Sequence, residues 1–301
     1  MSPRSARWAR LLLWLVPGLW SSNYIIARSA DGVVAPHQLA LGRWVLALLL
    51  MLPFTAAVLW RHRAAWRSEW KRSLMLGALG MWICGAWVYI GGQSTSAANI
   101  ALIYSVTPIG IVVLSARMLH ERIVGTQRLG AVLALAGLLL VIAKGDVAHL
   151  LSVRFTRGDL WIVAAAVAWM AYSVLLKYWP SVLGPAERLV VIISGGVVVM
   201  LPFTLLEAWA APQPDLGGRA ALLILAAAVL PGVLSYSAYS FLQRELGAAR
   251  TALMLYLSPV YGAALGWALL GEVPRWYHAA GAALILPSIW LATRGSAGRS
   301  A

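Results

Sequence analysis

The sequence predicts an all-α membrane protein of ten spanning helices, arranged as two inverted five-helix repeats. Three observations carry this. Of 301 residues, 61% are hydrophobic and only 11% charged, with a mean hydropathy of +0.79. Ten apolar runs follow one another with short loops between them. The pentapeptide MLPFT occurs at 51–55 and again at 200–204.

A soluble domain carries about 25% charged residues, so this chain is too poor in charge to cover a water-facing surface. A spanning helix needs about 20 apolar residues. The candidates lie at 8–27, 38–60, 73–91, 98–119, 126–143, 158–177, 186–210, 219–242, 249–270 and 276–293. Helices are the expected spanning element, because backbone groups cannot stay unpaired in lipid, and no run alternates as a membrane β-barrel strand does. The first run has the basic, apolar, small-residue order of a secretory signal. Its match in the second half predicts that it is kept as part of the fold.

The net charge is +14 and the pI about 10.7. In a soluble chain this would suggest nucleic-acid binding. Here the basic residues sit in short loops, where they set membrane orientation, so the expected partner is the lipid bilayer and not a nucleic acid. With the N-terminus inside, the inside segments hold 17 of the 24 Lys and Arg, the outside segments 6, and Arg43 lies within a span. Both termini are therefore expected in the cytoplasm, in a multi-pass protein of the cytoplasmic (inner) membrane. The outer loop 144–158 carries three of the six outside cations and supports this least. Cys84 is the single cysteine, and the five histidines lack ligand spacing. No metal, no cofactor and no enzymatic constellation is expected.

The two MLPFT copies lie 149 residues apart, and the same offset pairs Trp20 with Trp169, Pro36 with Pro185 and Pro53 with Pro202. Further along, an offset of 151 pairs Pro108 with Pro259, Glu121 with Glu272 and Gly130 with Gly281. An offset shared across several helices marks an internal repeat. It divides the chain into repeats at 1–148 and 149–301. Five spans is an odd number, so the halves enter the membrane from opposite sides. Transporters use such inverted repeats to build one midplane site that opens to either side.

The segment SAANIALIYSVTPIGIVVLSARMLHERIVGTQRLGAVLALAGLLL and its partner GAARTALMLYLSPVYGAALGWALLGEVPRWYHAAGAALIL share a pattern. Each has an apolar helix with a central proline, a Glu at its end and a Gly opening the next helix. In this pattern, and in LWSSNYIIAR and PHQLALGRWVLALLL, the chain resembles the drug/metabolite transporter superfamily in its EamA-type domains. Its tryptophan-rich layout is similar to the YddG-type amino-acid exporters. The resemblance implies a central cavity surrounded by helices 1, 3, 4, 6, 8 and 9. It also implies export of small amphipathic metabolites, amino acids including aromatic ones, by a monomer or weak homodimer. Drug, nucleoside or dicarboxylate export is the alternative cargo on the same fold. A lipid scramblase or intramembrane enzyme is the alternative class.

On the helices so placed, the candidate substrate-binding residues are Trp20, Asn23, Tyr89, Tyr104, Trp169, Tyr172, Tyr239 and Tyr256. Tyr and Trp join a large apolar face to one hydrogen-bonding group, and polar groups at membrane depth face protein or a watery cavity. Helix packing accounts for Trp20 and Trp169 about as well, and helix–helix hydrogen bonding does so for Asn23. Trp8, Trp60, Trp66, Trp70, Trp161, Trp179, Trp209, Trp276 and Trp290 lie near span ends and are read as an interfacial belt.

Pro108 and Pro259 are the hinge or gate candidates, since proline removes a backbone donor inside a helix. Arg43 is expected to snorkel to the outer interface, because helix 2 should be peripheral; attraction of a substrate carboxylate is the other reading. Glu121 and Glu272 are expected to pair locally, with Arg122 or Arg275. GAALG at 262–266 matches the close-packing pattern of small residues. The acidic residues all lie in loops or near span ends, which favours facilitated diffusion or exchange over a built-in proton relay.

Overall fold

In a computed structural model, residues 3–95, 97–148, 154–210, 214, 216–270 and 273–294 are described, and they form helices joined by short connections. In order they are α1 (Pro3–Ala30), α2 (Pro36–Arg61), α3 (Arg63–Ser68), α4 (Trp70–Gly92), α5 (Ala97–Tyr104), α6 (Thr107–Met118) and α7 (Gly125–Ile142). There follow α8 (Arg157–Tyr178), α9 (Pro185–Ala210), α10 (Gly218–Leu246), α11 (248–270) and α12 (Trp276–Arg294). Among the described residues seven spans are long and apolar enough to cross a membrane: α2, α4, Asn99–Met118, α7, α8, α9 and α10. The predicted division at 148/149 adjoins residues outside those described.

Helix irregularities fall at matching places in the two halves. The third long helix of each half carries a π-helical stretch, Ala78–Trp87 in α4 and Ala228–Leu234 in α10. Such wide turns are rare and concentrate at functional sites. The fourth helix of each half is interrupted just before its proline. The chain breaks between α5 and α6 ahead of Pro108, and α11 tightens to a 3-10 turn at Met254–Leu257 ahead of Pro259. Each proline thus opens a fresh helical segment, where its missing N–H costs nothing.

The contacts between helices are exchanged when the halves are exchanged. α1 packs on α10 and α11; α8 packs on α4 and on α5–α6. α2 packs on α9, and α7 on α12, so these equivalent helices meet each other. Two crossings are very close. A Cβ on Gly77 would lie 2.2 Å from the Gly196 nitrogen and 2.6 Å from the Ile192 carbonyl oxygen. Gly137 and Gly281 abut in the same way, each Cβ falling 2.8 Å from the other's carbonyl oxygen. The GAALG expectation is not met at Gly262, whose Cβ would touch nothing within 4 Å.

Both MLPFT copies fold alike up to a point. Thr55 donates to the Met51 carbonyl and Thr204 to the Met200 carbonyl, at 3.0 and 3.2 Å. The methionines are buried, while Phe54 is exposed and Phe203 stacks on Trp82 at 4.0 Å. Of the belt tryptophans, Trp8, Trp60, Trp70, Trp161, Trp209, Trp276 and Trp290 are exposed.

Candidate functional site

Where α1, α2, α4, α8 and α10 meet, aromatic side chains from both halves converge. The repeat-paired Trp20 and Trp169 touch edge to face, with ring centroids 5.3 Å apart. Tyr239 lies 5.1 Å from Trp20 and 5.2 Å from Trp169. Tyr236 lies 5.8 Å from each, and Tyr172 stacks on Trp169 at 5.4 Å. Edge-to-face and offset pairs of this kind contribute about 0.5–1.5 kcal/mol each beyond their buried area. The two halves thus meet through aromatic rings in mutual contact.

Hydrogen bonds hold the ring of tyrosines. The Tyr239 hydroxyl donates to Ser173 Oγ at 2.9 Å and accepts from Gln243 Nε2 at 3.0 Å. The Tyr236 hydroxyl donates to the Gly80 carbonyl of the π-helical stretch in α4. The Tyr89 hydroxyl donates to Asn23 Oδ1 at 2.9 Å. Each half thus directs a tyrosine of its third long helix onto a polar side chain of its first.

Arg43 departs from the sequence expectation. It turns inward instead of snorkelling and is only 4% exposed. It starts about 10 Å into α2, too deep on an inward face for its stem to reach water. Nη2 donates to the Pro231 carbonyl at 3.1 Å, and Nη1 lies 3.5 Å from the Tyr89 hydroxyl. The guanidinium sits 4.4 Å from the Trp44 ring centroid and 5.9 Å from that of Tyr236. Nε is buried without a hydrogen-bond partner. Among the described residues no carboxylate lies within ion-pairing distance of it. An arginine costs up to about 3 kcal/mol on insertion scales, the value for the middle of a spanning helix. Contact with an aromatic face offsets about 1–2 kcal/mol of this. Trp44, which sequence reading passed over, is fully buried and donates to the Met81 carbonyl at 3.1 Å.

Of the predicted site residues, the structure brings together Trp20, Trp169, Tyr172 and Tyr239, with Asn23 and Tyr89 joined beside them. Tyr256 lies apart, in a second core with Leu253, Leu257, Ile285 and Ile289. Its hydroxyl donates to the Ser105 carbonyl at the α5–α6 break, 3.1 Å away. Tyr104 is half-buried at the end of α5. Pro108 and Pro259 flank the two breaks.

Polar clusters close both ends. At one end Asp159 accepts from Thr95, Asn99 and Thr156, tying the α4–α5 connection to the start of α8. There too Glu207 of α9 accepts the His37 backbone N–H at 3.0 Å, and His37 Nδ1 lies 3.0 Å from Oε1. Trp82 donates to His37 Nε2, which leaves the ring proton on Nδ1, facing Glu207. At the other end Glu121 corrects its expected role. Its two oxygens accept the backbone N–H groups of Ala248 and Ala249, both at 3.0 Å, at the N-terminus of α11. Exposed helix N–H groups and the helix dipole both favour a carboxylate there. Glu272 lies outside the described residues. Beside Glu121 opens a cavity of about 270 Å³ lined by Arg122, Gln127, Lys177, Arg244 and Arg250, among others.

The EamA-like transporter family matches residues 7–143 and, a second time, residues 156–294. The chain belongs to this family. Its members are membrane transporters, which agrees with the repeat and the apolar spans. The "Uncharacterized transporter YdfC" of Bacillus subtilis is 28% identical over 86% of this chain and 82% of its own length. A "Probable terminal-alkyne amino-acid exporter" of Streptantibioticus cattleyicolor is 24% identical over 75% and 73%. The "S-adenosylmethionine/S-adenosylhomocysteine transporter" of Chlamydia trachomatis is 22% identical over 88% and 82%. A solved crystal structure shares the fold with a TM-score of 0.76 at 20% identity, covering 95% of this chain and 96% of its own.

Proposed function

We propose that the chain carries small amphipathic metabolites, amino acids including aromatic ones, across the cytoplasmic membrane by alternating access. In this reading α1, α11 and α12 also cross, giving ten spans in two inverted halves, with both termini cytoplasmic. The observation that carries it is the aromatic cluster. Trp20 and Trp169, equivalent residues of the two halves, meet in a site ringed by tyrosines, Asn23 and Arg43. Such a lining offers flat apolar faces for a side chain and hydrogen-bonding groups for a zwitterion. Two relatives bear names for cargoes that contain an α-amino acid. The end clusters support the orientation. Arg122, Lys177, Arg244 and Arg250, all assigned inside by the charge count, line one cavity, whereas Asp159, Asn99 and Thr95 close the opposite end.

Uptake and counterflow in proteoliposomes with a panel of labelled amino acids tests the reading, with Asn23→Ala and Trp20→Ala as site variants. Wild type should exchange at least one amino acid, and both variants should reduce its exchange. Failure of every amino acid refutes it. The S-adenosylmethionine relative adds that compound to the panel, as the nucleoside-bearing alternative.

A further inference from the structure

Arg43 does not behave as a structural residue. The repeat sets it opposite Ile192, 149 residues on, in a helix of the same length that also opens with proline. Ile192 is buried too. The fold therefore accepts a neutral apolar side chain at this position and does not call for a charge. Nor does a carboxylate among the described residues balance the charge. Its hydrogen-bonding partners are a neutral carbonyl and a phenol at the limit of bonding distance, and Nε has none. The group also stands at a junction. Through Tyr89 it touches the chain that ends on Asn23, and through Trp44 and Tyr236 it touches the aromatic cluster.

We propose that Arg43 is the anchor for a carboxylate on the cargo, so that the carrier selects molecules joining a carboxylate to an apolar or aromatic body. The proposal rests on the transport reading above and narrows it. A carboxylate is the planar, two-oxygen anion that a guanidinium fork matches best. Its arrival supplies the counter-charge that no described residue brings to the site and the acceptor missing at Nε, while the body of the same molecule meets the rings. An amine of the same shape would bring a second positive charge beside the first.

The test compares L-phenylalanine, 3-phenylpropionate and phenethylamine on the purified full-length carrier. Binding is read from tryptophan fluorescence, since the cluster contains three tryptophans, and transport from inhibition of amino-acid counterflow. Wild type should bind both carboxylates at least about tenfold more tightly than phenethylamine. Arg43→Gln should lose at least about tenfold for the carboxylates while leaving phenethylamine unchanged, and Arg43→Lys should recover part of the loss. Equal binding of phenylalanine and phenethylamine to wild type overturns the anchor while leaving the carrier reading intact. So does an Arg43→Gln variant that binds phenylalanine as wild type does. Should Arg43→Gln fail to fold, the wild-type comparison decides alone. If none of the three compounds is bound and no amino acid is exchanged, the carrier reading itself fails, and this proposal with it.

Discussion

Replacing Gly77 by alanine should separate two helices that nothing else can bring so close. The added Cβ would fall 2.2 Å from the Gly196 nitrogen, 2.6 Å from the Ile192 oxygen and 2.8 Å from the Gly195 carbonyl carbon. All three are backbone atoms of one helix, so no side chain can swing aside. Non-bonded atoms settle at about 3.5 Å, so α4 and α9 would have to move apart by roughly 1 Å. Overpacking of this kind costs about 1–3 kcal/mol. Three backbone clashes at once place Gly77→Ala at the upper end, about 3 kcal/mol. Gly262→Ala is the matched control, since its Cβ meets nothing within 4 Å. It should be neutral, or more stable by about 0.5–1 kcal/mol because glycine is a poor helix former. Thermal unfolding of the two variants in one detergent, followed by monodispersity, compares them directly. Equal melting temperatures for Gly77→Ala and wild type would refute the close crossing of α4 and α9.

Glu121→Gln keeps an acceptor for only one of the N–H groups of Ala248 and Ala249 and removes the charge, and should cost about 1 kcal/mol; Glu121→Ala, which removes the cap altogether, should cost about 1–2 kcal/mol. Because the contact ties the end of α6 to α11, Glu121→Ala should also speed maleimide labelling of a cysteine placed at Gln127 beside the neighbouring cavity; unchanged labelling argues against a closing role. Tyr239→Phe leaves Ser173 and Gln243 without their shared hydroxyl, and should lower stability by about 1–3 kcal/mol in thermal unfolding; an unchanged melting temperature would show that the two residues re-pair without it.

Much of the architecture was legible because it depends on composition and periodicity. Apolar runs, the 149- and 151-residue offsets and the paired prolines are one-dimensional patterns, and each reappears in three dimensions. Trp20 and Trp169 were found as a pair because they share an offset, although nothing in the sequence said that they touch. Arg43 was misread because position along a helix gives depth but not azimuth: only the packing of α2 on α9 and α10 shows which face turns inward. Glu121 was misread for a related reason. Its donors were sought among charged neighbours in sequence, while its partners are backbone N–H groups 127 and 128 residues away. The π-helical stretches have no signature in residue type, since they arise from one extra residue per turn.

The exchange of contacts between halves bears on how a single charge can occupy this site. A five-helix chain paired antiparallel with its own copy would make the same helix contacts: first on third, second on second, fifth on fifth. In such a homodimer any residue near the axis is present twice, so the site would hold two arginines repelling each other, or none. Joining the copies in one polypeptide removes that constraint. Position 43 can keep its cation while position 192 becomes isoleucine, and the shared site acquires a polarity that a symmetric ancestor could not express.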